Sequence, residues 1–154
     1  MNLTIRKATL DDLKDIQELN AMLFQKENKE YDNNLNINWP YEDGEQYFTK
    51  QIENHFLYVA IDRNIVIGYL SGTIKKTNLA FNRSRAVLDN MVISENYRDQ
   101  GIGTLLVEKF KLWCIKNNVK EILVDVFEAN TKGINFYKNN GFDNYEVLLK
   151  CNLD

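Results

Sequence analysis

Apolar and polar residues repeat along the chain with two different periods, and these periods predict an ordered set of strands and helices. A period near 3.6 predicts one helix after Thr9, with Asp12 in its first turn, and a second helix that Asp43 and Gln46 would cap, ending near Asn54. Alternating or continuous apolar runs predict strands. The predicted strands cover residues 3–7, 56–61, 65–75, 85–93, 121–127 and 144–153.

Two more helices are predicted in the C-terminal half. The longer one begins at Gly101 and ends near residue 117, and the shorter one ends at Gly141, a residue suited to the position after a helix. The element order is therefore β-α-α-β-β-β-α-β-α-β in one domain, residues 1–154, of the α/β (α+β) class. The residues of the longer helix predicted to face the core are Ile102, Leu105, Leu106, Phe110 and Trp113.

The composition is ordinary for a soluble globular protein, with 44% hydrophobic and 27% charged residues. The formal net charge of −3 argues against nucleic acid as a partner, because phosphate binding needs a basic surface. No apolar run is long enough to span a membrane and no signal-peptide pattern is present, so we expect a cytoplasmic protein without a membrane partner. Cys114 and Cys151 lack metal-ligand and disulfide spacing, so both are expected to be buried and no metal is expected.

The segment from residue 92 to residue 104 carries the strongest functional signal. A predicted strand leads through a short polar turn into the helix that begins at Gly101-Ile102-Gly103. A helix N-terminus presents free backbone N–H groups and a positive dipole end, and glycine lets an anion approach them closely. Arg98 adds a positive charge at the mouth of the turn. The segment therefore predicts a pyrophosphate-binding turn.

Two classes of phosphate-binding motif are excluded by residues that this turn lacks. A P-loop would need Lys after the second glycine, and a dinucleotide-binding turn would need a third glycine where this chain has Leu106. The spacing Arg98-x-x-Gly101-x-Gly103 instead resembles the acyl-CoA motif of the GNAT family of N-acetyltransferases.

A second motif follows thirty-odd residues later and resembles the second block of the same family. A predicted strand ends in Asn130, and a short helix then carries Phe136-Tyr137 before Gly141. The resemblance covers essentially the whole chain. It implies a GNAT fold, with a mixed central sheet of six to seven strands flanked by about four helices. It also implies an enzyme that uses acetyl-CoA as acyl donor.

The resemblance assigns residues to the donor. Backbone groups at residues 91–93 would pair with the pantetheine arm, and an amide there would serve the developing oxyanion. The family often has a bulge in this strand. The residues implied for acetyl-CoA binding are Met91, Val92, Ile93, Arg98, Asp99, Gln100, Gly101, Ile102, Gly103, Thr104, Asn130, Phe136 and Tyr137.

The resemblance also suggests the groups that move protons. Tyr137 occupies the position of the family tyrosine that protonates the leaving thiolate, although an amphipathic helix residue packed under the sheet is the alternative. Asn130 would cap the short helix, hold the pantetheine amide, or do both. Asp89 is the first candidate general base, because a carboxylate in so apolar a strand is costly unless it is paired or functional. Glu128 is the second candidate, and a water chain without a single base is the third possibility. Nothing in the sequence places His55 near the thioester.

The sequence says least about the acceptor, the amine that would receive the acetyl group. Residues 25–55 correspond to the variable substrate region of the family and mix acidic residues with Tyr31, Trp39, Tyr41 and Tyr47. Such a surface suits a small cationic amine such as a polyamine or aminoglycoside, and a solvated charged surface is the plainer interpretation. A protein N-terminus or lysine is the rival acceptor, and a non-catalytic acyl-CoA sensor is a further alternative. A homodimer is the expected assembly, because the last strand would leave an edge for a second copy to cover.

Overall fold

The computed structural model describes all 154 residues and contains one five-stranded sheet. The sheet order follows the chain, with antiparallel pairs throughout except for the last strand, which runs parallel to its neighbour. The strands are β1 (Leu3–Lys7), β2 (Phe56–Asp62), β3 (Ile65–Ile74), β4 (Arg85–Ile93) and β5 (Glu121–Val124). The helices are α1 (Leu13–Glu30), α2 (Asp43–Asn54), α3 (Ile102–Lys116) and α4 (Thr131–Asn139).

Local sequence signals explain several of these boundaries. The Asp12 carboxylate accepts a hydrogen bond from the Thr9 amide at 2.8 Å, which is the predicted N-terminal signal before α1. Arg63 and Asn64 form the two-residue turn between β2 and β3, and both have positive φ, as a tight hairpin requires. The predicted capping box at the start of α2 is wrong, because Glu42 precedes the helix and no side chain caps it.

The sheet separates two hydrophobic cores. One core lies between the sheet and α3, where Phe110 and Leu106 are fully buried. The other lies under α1 and α2 and is centred on Phe48 and Tyr69. Leu105, predicted to face the core, is 41% exposed, and Val107 is buried instead. Both cores reach β4, so this strand has a helix layer on each of its faces.

The predicted strand count was slightly wrong although the fold agrees. β5 ends at Val124 rather than at residue 127, and the C-terminal segment predicted as a strand forms no regular structure. The strand predicted over residues 144–153 is wrong for the single chain, because a strand needs a hydrogen-bonded neighbour and this segment has none. Cys151 is consequently exposed, against expectation, whereas Cys114 is buried as predicted.

Candidate active site

A β-bulge in β4 opens the sheet. The β3–β4 ladder pairs Gly72 with Leu88 and Ser71 with Asn90, which leaves Asp89 without a partner. β4 pairs with β5 only as far as Leu88, so the two parallel strands separate beyond the bulge. We call this opening, between residues 89–93 of β4 and residues 124–128, the inter-strand cleft.

The backbone N–H groups of successive residues in β4 point alternately toward β3 and toward the inter-strand cleft. The Ser94 amide donates to the Ile67 carbonyl at 2.8 Å, so Ser94 directs its N–H toward β3. Because successive residues of a strand point their amides in opposite directions, Ile93 and Met91 present theirs to the cleft. Val92 turns its amide toward β3, and its side chain is buried in the α1–α2 core. Of the three residues predicted to pair with the donor, Met91 and Ile93 are therefore available.

The N-terminus of α3 lies at one end of the cleft and has no side-chain cap. Gly101 precedes the helix at φ +79°, and a Cβ added there would meet nothing within 4 Å. Ile102 is buried in the core, so it offers the site only its amide. Thr104 lies in the first helical turn, and the N–H groups of this turn have no intrahelical partner, as the predicted anion site requires.

Three side chains shape the turn before α3. Arg98 donates through Nε to the Ile93 carbonyl at 3.0 Å, which fixes its guanidinium beside the end of β4. Gln100 donates to the Asn96 carbonyl at 3.1 Å and closes the turn. Asp99 has a positive φ and forms an exposed ion pair with Lys132 of α4 at 3.1 Å. Asp99 and Gln100 thus maintain the turn, while Arg98 leaves its terminal nitrogens free for a phosphate.

Gly103 has a second role that the sequence did not reveal. A Cβ added at Gly103 would lie 3.1 Å from the Phe136 ring and 3.5 Å from the Met91 methyl group. The absence of a side chain therefore lets α4 pack against α3 and β4 at the cleft. Phe136, predicted to contact the donor, is the residue that fills this space.

Tyr137 lies on α4 between two aromatic rings. Its ring meets Phe136 at a centroid distance of 5.1 Å and Phe142 at 5.5 Å, both edge to face. Burial, together with the charge of Glu27, raises the pKa of Tyr137 to about 12. Glu27 belongs to α1, which packs on the other face of the sheet from α4. The Tyr137 hydroxyl therefore lies where the helix layers of the two faces approach each other.

Asn130 acts as the helix cap foreseen as one of its two roles. Its Oδ1 accepts a hydrogen bond from the Gly133 amide at 2.9 Å, which fixes the start of α4 and with it Phe136 and Tyr137. A Cβ at Gly133 would lie 2.6 Å from the Asn130 amide nitrogen, so glycine is required for this cap to fit.

Asp89 projects toward α2 and is held by two donors at one oxygen. Thr73 donates to Oδ2 at 2.6 Å, and Gln51 donates to the same oxygen at 3.1 Å. Burial raises the pKa of Asp89, and the hydrogen bonds from Thr73 and Gln51 and the proximity of His55 oppose that rise. His55 therefore lies closer to the candidate base than its sequence position suggested.

The polar network continues away from Asp89 along β3 and β4. The Tyr47 hydroxyl lies 3.1 Å from the Ser71 hydroxyl and accepts a hydrogen bond from Asn90 at 3.4 Å. Burial raises the pKa of Tyr47, and the charge of Asp89 adds to the effect. The bulge explains why Asp89 and Asn90, although adjacent, both contact α2.

Glu128 does not join this network. It is exposed in the loop after β5 and forms no hydrogen bond or ion pair. The structure therefore brings Asp89 together with Gln51 and Thr73, which sequence reasoning did not assign to the site, and close to Tyr47 of the predicted substrate region. Only their tertiary neighbours reveal them, because a Gln or a Thr on an amphipathic element carries no distinctive sequence pattern.

Comparisons with known proteins agree with this geometry. Residues 14–142 match the model of the acetyltransferase (GNAT) family. An N-alpha-acetyltransferase of Sulfurisphaera tokodaii is 27% identical over 94% of this chain and 82% of its own length. The crystal structure of a mutant BH1408 protein from Bacillus halodurans superposes with a TM-score of 0.87 at 22% identity, covering 97% of this chain and 99% of that one. The aminoglycoside N-acetyltransferase AAC(6')-Iy in complex with CoA superposes with a TM-score of 0.76 at 16% identity, covering 98% of this chain and 94% of that one.

The mixed sheet and the order of its strands and helices give this chain the fold of an acyltransferase. The chain belongs to the GNAT family of acetyltransferases, and it is an N-acetyltransferase. No helix is long and apolar enough to cross a membrane. No group of three or more His, Cys, Asp or Glu side chains is arranged to hold a metal ion.

The cleft predicts a measurable response to the donor. Acetyl-CoA at a hundred times its Kd is expected to raise the melting temperature by roughly 5–10 °C, because ligand binding stabilises the folded state by mass action. Gly103→Glu is expected to abolish this shift, since its side chain would displace Phe136 and place a negative charge beside the free amides. Thermal scans with and without acetyl-CoA measure the effect.

Leu112→Glu is the matched control, because it places the same side chain on the same helix at a position that is 63% exposed. This variant should keep the full shift. An equal shift in Gly103→Glu and in the parent would mean that the pyrophosphate binds elsewhere.

Proposed function

We propose that this enzyme transfers an acetyl group directly from acetyl-CoA to the primary amine of a small cationic molecule. The observation that carries the proposal is the inter-strand cleft, which has an uncapped helix N-terminus at one end and the hydrogen-bonded carboxylate of Asp89 at the bulge. In this assignment acetyl-CoA is a substrate. The amides at Ile102 to Thr104 and the Arg98 guanidinium would bind its pyrophosphate, and Met91 and Ile93 would bind its pantetheine arm.

Asp89 would accept the proton of the attacking amine. An alkylammonium has a pKa near ~10, so at neutral pH a base must generate the nucleophile. Because burial raises the pKa of Asp89, its carboxylate is a stronger base than an exposed one. Thr73 and Gln51 both bind Oδ2, which leaves Oδ1 free to face the acceptor.

Tyr137 would give a proton to the departing thiolate. A pKa of about 12 keeps its hydroxyl protonated at every working pH. The same burial would raise the pKa of the departing thiol. The lower acidity of Tyr137 would therefore be matched by a higher basicity of the thiolate that accepts its proton. The thiols are poor candidates for an acetylated intermediate, because burial raises the pKa of Cys114 to about 12 and Cys151 lies in the C-terminal segment.

Two carboxylates that form no ion pair support a cationic acceptor. Glu27 and Asp89 take part in none of the ion pairs of the structure. Burial raises the pKa of Glu27 as well as that of Asp89. A carboxylate that is partly desolvated and forms no ion pair favours the binding of a cation, which would lower the cost of its desolvation. The aminoglycoside N-acetyltransferase with the same fold is consistent with an acceptor of this class.

A protein N-terminus is the second candidate acceptor. The observation in its favour is the N-alpha-acetyltransferase that matches this chain over 94% of its length. Unlike a polyamine, a peptide N-terminus carries one positive charge, so it would pair with only one of the carboxylates of Glu27 and Asp89.

A thiol assay of released CoA distinguishes the acceptors. The enzyme is given acetyl-CoA with spermidine, an aminoglycoside, peptides with free N-termini, and lysine-containing peptides with blocked N-termini. The proposal expects kcat/KM for a small polycation to exceed that for any peptide by at least tenfold. Higher kcat/KM for a peptide would overturn the cationic small-molecule assignment while leaving acetyl transfer intact.

Thr73→Val tests whether the hydrogen bond at Oδ2 sets the basicity of Asp89. Valine keeps the shape of threonine and removes the 2.6 Å hydrogen bond, which holds the pKa of Asp89 down. The acidic limb of the pH profile of kcat/KM should therefore move to higher pH. Thr73→Ser keeps the hydroxyl and should restore the parent profile, whereas an unchanged profile in Thr73→Val would remove Asp89 from the proton transfer.

A further inference from the structure

The connection between β3 and β4 gathers positive charge in a chain that is acidic overall. No acidic residue occurs between Asp62 and Asp89, although the chain contains 22 of them. We refer to residues 75–85 as the basic loop, and its four basic residues are Lys75, Lys76, Arg83 and Arg85. Like charges repel one another, so their collection in one loop favours the binding of an anion there.

Hydrogen bonds hold the basic loop in a defined shape. At its base, the Lys75 amide donates to the Arg85 carbonyl at 2.9 Å. At its tip, the Asn78 side chain accepts a hydrogen bond from the Ala80 amide at 3.0 Å, and the Asn78 carbonyl accepts one from the Phe81 amide at 3.0 Å. These bonds turn the chain back, so that the Arg85 guanidinium lies 3.6 Å from the centroid of the Phe81 ring.

The turned loop encloses a pocket of about 190 Å³. All of the lining residues belong to the basic loop, and none of them is acidic. Thr77 and Asn82 add a hydroxyl and an amide to the four cations of the lining. Pockets for drug-sized ligands have volumes of roughly 300–1,000 Å³, so this pocket fits a smaller group, of the size of phosphate or pyrophosphate.

One carboxylate opposes the four positive charges. Glu121 of β5 forms an ion pair with Arg85 at 2.9 Å and a longer one with Arg83 at 3.6 Å. Arg85 also donates to the Tyr145 hydroxyl at 3.0 Å, which fixes its guanidinium at the back of the pocket. The remaining cations, Lys75 and Lys76, form no ion pair. Three of the four positive charges are therefore left without a compensating carboxylate.

We propose that the basic loop binds a small multivalent anion of the phosphate class, free in solution. The ammonium groups of Lys75 and Lys76 and the guanidinium of Arg83 bind its charged oxygens, and Thr77 and Asn82 donate to the oxygens that remain. An anion with two or more negative charges offsets most of the uncompensated positive charge of the loop.

This site is separate from the donor cleft. β4 runs from Arg85, at the basic loop, to Ile93, at the turn that leads to α3. Eight steps of about 3.3 Å place the two ends roughly 26 Å apart. Binding of an anion to the basic loop is therefore independent of the donor, of the acceptor and of the catalytic assignments.

Calorimetric titration of the full chain with inorganic pyrophosphate tests the proposal. The titration is done at physiological ionic strength and with saturating CoA, so that the donor site is already filled. The parent should bind one pyrophosphate. Lys75→Gln/Lys76→Gln should raise the Kd by about a factor of ten or more, because one charge-assisted hydrogen bond contributes on that order. Circular dichroism should be unchanged, since both side chains are exposed.

Lys109→Gln/Lys116→Gln is the matched control, because it removes the same charge from exposed positions of α3. This variant should keep the parent Kd. Equal weakening in both double variants would mean that pyrophosphate responds to the net charge alone, and it would overturn the site. Absence of binding to the parent would overturn it as well.

Sedimentation with phosphatidylglycerol vesicles distinguishes a phosphate in solution from a phosphate on a lipid surface. The proposal expects the protein to stay in the supernatant. Sedimentation of the parent that is lost in Lys75→Gln/Lys76→Gln would make the basic loop a membrane contact and would overturn the small-anion site.

Discussion

Tyr137→Phe is expected to lower kcat by about 10²–10⁴-fold and to leave acetyl-CoA affinity nearly unchanged, because a general acid contributes on that order and only the proton is removed. The ring contacts to Phe136 and Phe142 are made by carbon atoms and survive the change. The hydroxyl forms no hydrogen bond within the protein, so its loss should cost little stability. Single-turnover rates at saturating substrates, together with calorimetric binding of acetyl-CoA, measure the two effects separately.

Tyr97→Phe is the control for the loss of a phenol outside the cleft. The Tyr97 hydroxyl donates to Asp62 at 3.3 Å, away from the β4 bulge, and its removal should leave kcat unchanged. If Tyr137→Phe keeps most of its turnover when chemistry limits the rate, the hydroxyl has no acid role and Tyr137 is a packing residue.

Asp89→Asn is expected to lower kcat/KM at neutral pH and to recover part of the loss as the pH rises. The neutral fraction of an amine grows tenfold for each pH unit below its pKa near ~10, so the need for a base declines. Asparagine still accepts the hydrogen bonds from Thr73 and Gln51, so the geometry of the bulge is preserved. The pH profiles of the two enzymes should converge at high pH, and parallel profiles would show that Asp89 is not the base.

The same substitution should stabilise the protein at neutral pH. The folded-state pKa of Asp89 is raised above the usual value of 3.8, so its ionisation as the pH rises through that folded pKa favours the unfolded state. Asparagine carries no such cost, so its melting temperature should exceed that of the parent at pH 7. The difference should vanish below about pH 3.8, where the carboxyl is protonated in both states. Equal melting temperatures at pH 7 would mean that the Asp89 charge costs nothing where it lies.

Local patterns in the sequence predicted much of the fold. The bounds of β1 and β4 agree with the structure, and α2 and Gly141 lie where the periodicity and the turn residues placed them. The acetyltransferase family was identified from two short motifs, since glycines at a helix start and an Asn before a short helix are constraints that act within a few residues. The family match confirms that identification.

The position of Asp89 in a site was decided by the tertiary structure. The sequence marked a carboxylate in an apolar strand, but the bulge that turns it toward Thr73 and Gln51 depends on how β3 and β4 pair. Likewise, Gly103 was expected to admit a ligand, and the structure shows that Phe136 also requires it. Contacts between residues tens of positions apart have no local sequence signal.

The C-terminal segment, residues 143–153, shows the same difference between a local sequence pattern and a contact between distant residues. Its alternating residues determined a strand-like character by themselves, because alternation is a property of neighbouring positions. Whether that segment becomes a strand depends on an edge that offers hydrogen bonds, and within one chain it remains unpaired beside β5. The sequence by itself determined most of the elements and the family, and it predicted a donor-binding turn. The tertiary structure decided the cleft, the environment of Asp89 and the state of the C-terminal segment, because each of these depends on which distant segments meet.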